Sequence, residues 1–105
     1  MTPETPNTWC VDFDNTICRT RWDGVRWAMG KAIPGMVEAV NRCGETHEII
    51  IFTSRPFSEW EEMSEWLSIH RVKFNQIQSK PLAAHYVDDR AMKPEEFRTI
   101  FTEPK

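Results

Sequence analysis

Cysteine is scarce and unpatterned in this chain. Cys10, Cys18 and Cys43 form an odd set with no CxxC spacing, and no basic stretch followed by an apolar run opens the sequence as a secretion signal would. A disulfide framework is excluded, and a reduced, cytoplasmic setting fits best. Long apolar runs are also missing: the longest, Ile49 to Phe52, is far short of the ~20 residues that cross a bilayer, so a soluble protein without a membrane partner is expected. Net charge is -3 and no block of lysine and arginine stands out, which removes the electrostatic footprint of a duplex-binding protein. Nucleic acid is therefore not the expected partner, although a polynucleotide end stays open as a substrate. With 105 residues the chain has room for one core and no second lobe. The expected organisation is a loose leader over residues 1–7 and a single domain over 8–105.

What is present is an alternation of short strands and helices. Trp9 to Phe13 is mostly apolar with β-formers, and turn chemistry follows at once in Asp14-Asn15. Pro34-Gly35 precedes apolar positions three and four apart, Met36, Val37, Ala39, Val40 and Cys43, with Gly44 as a stop, the pattern of a short helix. Ile49-Ile50-Ile51-Phe52 is a continuous run of the kind a strand covered on both faces requires, and it ends in Thr53-Ser54-Arg55-Pro56. Ser58, with Glu61 three residues on, predicts the cap of a second helix whose core face carries Trp60, Met63, Trp66, Leu67 and Ile69/His70. A weaker strand is expected over 72–78 and another over 84–87, the latter ending in Asp88-Asp89. Lys93-Pro94 opens a closing helix through Phe97, Ile100 and Phe101. The stretch from Ile17 to Ile33 reads as irregular.

That order predicts an α/β fold: a three-layer, Rossmann-like arrangement with a small parallel sheet flanked by helices. Parallel strands point the same way, so the residues just past Phe13, Phe52 and Val87 come out along one carboxyl edge, where such sheets bind ligands. The edge would gather Asp12, Asp14, Thr53, Ser54, Asp88 and Asp89, with Lys80 in the loop entering the last strand. Four converging carboxylates repel one another unless a cation neutralises them, and oxygen-only ligands suit Mg²⁺ better than zinc. An ion, a lysine and hydroxyl donors make a socket for a phosphoryl group, beside which one carboxylate can attack phosphorus and a second can transfer protons. Residues two apart on an extended strand share a side, so Asp12 and Asp14 can serve one site while Phe13 faces the core.

These segments resemble the haloacid dehalogenase-like (HAD) superfamily. WCVDFDNTIC is similar to its first motif, a hydrophobic run followed by DxDxT; IIIFTSR is similar to its second; SKPLAAHYVDDRA is similar to the third and fourth joined. The resemblance implies an HAD-like, Mg²⁺-dependent phosphate monoester hydrolase with an aspartyl-phosphate intermediate. Asp12 would be the nucleophile and Asp14 the acid/base; Thr53 and Lys80 would bind the phosphoryl group, and Asp89 the metal, with Asp88 orienting Lys80. Asp12, Asp14 and Asp88 also belong to the implied metal set, the choice between Asp88 and Asp89 as direct ligand being left open. Asn15 stands where many relatives carry glycine, in a turn that needs a positive φ, which asparagine accepts better than other non-glycine residues. Only about twenty residues separate Thr16 from the helix at Pro34, so the resemblance is to a small capless member with an open site.

Other readings accompany this one. Thr53, Ser54 and Lys80 are, each alone, ordinary strand-end and surface residues, and only the constellation gives them a role. Ser54 and Arg55 are further substrate-contact candidates. Trp22 and Trp27, with Arg19, Arg21 and Arg26, could grip a substrate or pack their segment down. Glu59, Glu61, Glu62 and Glu65 read as a solvated helix side, and His47, His70 and His85 as structural or exposed. The alternatives are a receiver-like phosphoacceptor, against which Asp14 argues, and a non-catalytic Mg²⁺-binding interaction module. The phosphorylated substrate (nucleotide, sugar phosphate or phosphorylated macromolecule) and the oligomeric state are not specified by the sequence.

Overall fold

The computed structural model describes residues 7–83, 85 and 91–102. The chain forms β1 (Thr8–Asp12), β2 (Cys18–Trp22), β3 (Trp27–Ala32), α1 (Met36–Cys43), β4 (Glu48–Thr53), a 3₁₀ turn (Phe57–Glu59), α2 (Trp60–Ile69), β5 (Gln76–Ser79) and α3 (Pro94–Thr102). β1, β4 and β5 make a parallel three-stranded sheet in that spatial order, and β2 and β3 pair as an antiparallel hairpin. Of the strand expected over 84–87 only His85 is among the described residues, and Asp88 and Asp89 lie outside them.

Alternation along the strands decides which face is packed. Val11, Ile49 and Ile51 are buried in one cluster with Met36, Ala39, Val40 and Cys43 of α1, Met63, Trp66 and Leu67 of α2, and Phe97 of α3. Fully burying an isoleucine such as Ile51 contributes about 1.5–3 kcal/mol, so this face supplies most of the sheet's anchorage. Cys10, Gln76 and Gln78 alternate onto the other face and are exposed. Ile50, between Cys10 and Gln76 on that face, is nevertheless buried. Among the described residues the protein is a small α/β domain whose helices pack with the Val11–Ile51 face, and the expected third layer, helices on the other face, is not seen among them.

Several local expectations are corrected. The stretch taken as irregular is the β2–β3 hairpin, with Trp22 opposite Trp27 and Thr20 opposite Met29. Ser58 does not cap α2: a 3₁₀ turn intervenes, and the helix starts after Glu59 with no side-chain cap. Ile69 is exposed rather than on the core face, while His70 stacks on Trp66 at 3.7 Å between ring centroids. The strand expected over 72–78 pairs only over Gln76–Ser79; Val72 is buried ahead of it, in a turn where the Val72 amide bonds the Leu67 carbonyl. Glu59 and Glu62 are not simply solvated, as both form ion pairs.

No helix among the described residues is long and apolar enough to cross a membrane.

Candidate functional site

The parallel register sets the site. Asp12 pairs with Phe52 across β1 and β4, and Thr53 pairs with Ser79 across β4 and β5. The three strands therefore end level, and Asp12, Thr53 and Lys80 leave the sheet at the same edge. The Lys80 amide closes the ladder on the Thr53 carbonyl at 2.8 Å, and Lys80 Nζ donates to Asp12 Oδ2 at 3.0 Å. Lys80 also lies over the Phe52 ring, 4.6 Å from its centroid, so its aliphatic stem and charge are both held. The Phe13 amide donates to Asp12 Oδ1 at 2.9 Å. With one hydrogen bond on each oxygen among the described residues, the Asp12 carboxylate, which offers about four lone-pair sites, keeps acceptor capacity.

Beyond Asp12 the chain turns sharply. The Phe13 carbonyl accepts from the amides of Thr16, Ile17 and Cys18, and Asn15 sits at φ 58, the left-handed conformation anticipated for it. Phe13 is fully buried, its ring edge-on to Trp66 at 5.2 Å. Anchoring this ring fixes the two acids on either side of it.

Asp14 is gripped by a guanidinium. Arg55 Nε donates to Asp14 Oδ1 and Oδ2 at 3.0 and 3.2 Å, and Nη2 to Oδ1 at 2.8 Å, while Nη1 reaches Glu59 Oε1 at 2.6 Å. The Thr20 hydroxyl of β2 donates to Asp14 Oδ1 at 2.7 Å. Arg55 is buried, at 8% exposure. Burial opposes its charged form, but the hydrogen bonds and charges of Asp14 and Glu59 outweigh that and raise its pKa. Arg55, expected as a substrate contact, here has its guanidinium engaged by Asp14 and Glu59. Thr53 is buried at 1% and its hydroxyl accepts from the Arg55 amide at 3.0 Å, whereas Ser54 is exposed.

Thus Asp12, Asp14, Thr53, Arg55 and Lys80 are brought together, Ser54 stands outside their network, and Asp88 and Asp89 lie outside the described residues. Thr20 and Glu59 were missed. Nothing in the sequence marked the first, since β2 shows no apolar alternation; Glu59, four residues after Arg55, had i,i+4 spacing as its only signal. Among the described residues no group of three or more His, Cys, Asp or Glu side chains is placed to hold a metal. The donors the edge does present, Asp12 and Asp14, are the hard oxygen type that Mg²⁺ takes.

No family model and no curated protein matches the chain. Among solved structures it is similar to the crystal structure of a structural-genomics (MCSG) target from Vibrio cholerae, with 27% identity, a TM-score of 0.71, and coverage of 88% of this chain and 87% of that one. The likeness supports the small α/β fold with a parallel sheet and extends over nearly the whole of both chains.

Proposed function

We propose that the protein is a small, capless, HAD-like phosphatase that hydrolyses phosphate monoesters through a phosphoaspartyl intermediate on Asp12. The observation that carries the reading is the Lys80–Asp12 contact at the carboxyl edge, with buried Thr53 beside it and Asp14 two residues on. A carboxylate held by a lysine at a strand end, with a second acid next to it, has both parts that two-step phosphoryl transfer requires.

In the first step an Asp12 oxygen bonds to phosphorus as the bond to the ester oxygen breaks, and Asp14 delivers a proton to that departing oxygen. In the second, Asp14 takes a proton from water, the water oxygen bonds to phosphorus, and the Asp12–phosphorus bond breaks to release phosphate. Lys80 and the Thr53 hydroxyl stabilise charge on the phosphoryl oxygens. Asp12 and Asp14 are the described residues that would hold Mg²⁺, which when bound would neutralise phosphoryl charge; Asp88 and Asp89 are proposed to complete the set. Arg55 orients Asp14 without touching the reacting atoms.

The test is a panel of phosphate esters assayed with Mg²⁺ and with chelator, for wild type and Asp12→Asn in parallel. Release of phosphate that needs both Mg²⁺ and Asp12 is the expected result. Hydrolysis by the Asp12→Asn variant at the wild-type rate would remove Asp12 as nucleophile.

A further inference from the structure

Two tryptophans are left unused by this chemistry. Trp22 and Trp27 stand opposite each other across the hairpin, 55% and 54% exposed, with ring centroids 5.4 Å apart and planes inclined at 61° in an edge arrangement that leaves ring faces open. Adjacent rings this exposed form an apolar patch of the kind that marks an interaction or ligand-binding surface.

Their position is set by the hairpin register. From Thr20 onward the pairing is regular, Thr20 with Met29, Arg21 with Ala28, Trp22 with Trp27. Residues two apart on a strand, and residues directly opposite across an antiparallel pair, share a face. Trp22 and Trp27 therefore stand on the same face as Thr20, whose hydroxyl touches Asp14, about 7 Å further along at the rise of a strand. Two tethers keep that face beside the site. At the base of the hairpin Trp66 Nε1 donates to the Gly30 carbonyl at 2.8 Å, where β3 runs so close to β2 that a Cβ on Gly30 would lie 2.9 Å from the Arg19 carbonyl oxygen. At the tip Arg26 bonds Glu62 at 2.8 Å and approaches Glu59, the residue that grips Arg55.

Resting on the phosphatase reading, we infer that the Trp22–Trp27 face is the leaving-group subsite, and that it selects nucleoside monophosphates by stacking on the base. With phosphorus at Asp12, the ester oxygen faces Asp14, and the alcohol portion leaves along the Thr20 face toward the rings. A flat heterocycle suits an aromatic pair of this kind, since stacking depends on ring area rather than on hydrogen-bond pattern. The face offers rings rather than charge beyond the first phosphate. Arg21 falls on the opposite side by alternation, and Arg26 is engaged by Glu62 and Glu59. That favours a mononucleotide over a polynucleotide end.

The experiment compares kcat/KM for adenosine monophosphate and for glycerol phosphate, with Mg²⁺, in wild type, Trp22→Ala, Trp27→Ala and Trp22→Phe. Wild type should prefer the nucleotide by at least about tenfold, within the range that base–aromatic stacking provides. Each alanine variant should lower the nucleotide-to-glycerol ratio by about that factor, chiefly through KM, and phenylalanine should restore most of it. A ratio unchanged in the alanine variants would overturn the subsite while leaving the phosphatase intact. A 5′-phosphorylated oligonucleotide turned over faster than the mononucleotide would overturn the choice of substrate. Calorimetric titration of Asp12→Asn with adenosine monophosphate, with and without Trp22→Ala, separates the two readings. Trp22-dependent binding, with no ester hydrolysed by the wild type, would retain the subsite and sink the phosphatase; loss of that dependence would sink the subsite.

Discussion

Arg55 and Asp14 are 41 residues apart in sequence, yet the guanidinium of one holds both carboxylate oxygens of the other. The contact joins the end of β4 to the turn after β1 and is the most buried ion pair among the described residues, with the Arg55 side chain 5% exposed and Asp14 30%. A fork of this shape fixes the plane of a carboxylate, which a lysine's point charge cannot do.

Arg55→Lys is therefore expected to keep the fold but lower kcat for any hydrolysed ester by tenfold or more, with little change in KM, because it disturbs the aim of Asp14 rather than substrate binding. Arg55→Ala should also destabilise the protein by about 2 kcal/mol, since Asp14 and Glu59 lose their counter-charge but stay partly hydrated. Steady-state kinetics with urea denaturation separates the effects. A change confined to KM would return Arg55 to direct substrate contact.

Asp12→Asn is expected to abolish turnover with a change in stability of no more than about 1 kcal/mol, since the side chain sits one-third exposed at a strand end. Acid-quenched wild type incubated with labelled substrate should carry an alkali-labile phosphate that the variant lacks. Peptide mapping of that label to any other residue would contradict the nucleophile assignment.

Phe13→Ala removes a fully buried ring that lies edge-on to Trp66 and should cost about 3–5 kcal/mol. That is a large share of the 5–15 kcal/mol typical of whole domains. Phe13→Leu should recover about half of it. Thermal unfolding measures both, and activity should fall ahead of stability because Asp12 and Asp14 flank the emptied position.

Cys43 yields a prediction in pH. Burial pushes its thiol up from 9.0 to about 11, so the folded chain keeps a proton that the unfolded chain releases. Its contribution to stability is whole below pH 9 and is lost as pH rises from 9 toward 11. Urea midpoints at pH 8, 9.5 and 10.5 should fall less steeply in Cys43→Ala than in wild type, although the variant starts lower because of the cavity. Parallel slopes would show that the thiol is not the source.

Period explains what the sequence revealed and what it hid. Val11, Phe13 and the Ile49–Phe52 run announced β1 and β4 because burial demands alternating or continuous apolar side chains, and the acids and hydroxyl at their ends followed from strand direction. The β2–β3 hairpin was missed because Arg19, Arg21, Trp22 and Trp27, on both of its faces, are all exposed, so it shows no apolar alternation; only Asp23-Gly24 marked its turn. Ser58 has the residue type and the Glu61 spacing of a cap, but the chain after Pro56 instead enters a 3₁₀ turn that contains it. The role of Arg55 was illegible for a different reason: an arginine beside a strand end reads the same whether it faces solvent or is folded under an acid.

The Thr20 hydroxyl, a small detail of the hairpin, ties two kinds of event together. Whatever moves β2 away from the turn after β1 withdraws a hydrogen bond from the group proposed to shuttle protons. On the proposed reading, the placement of the β2–β3 hairpin would bear on the aim of Asp14 through that one oxygen.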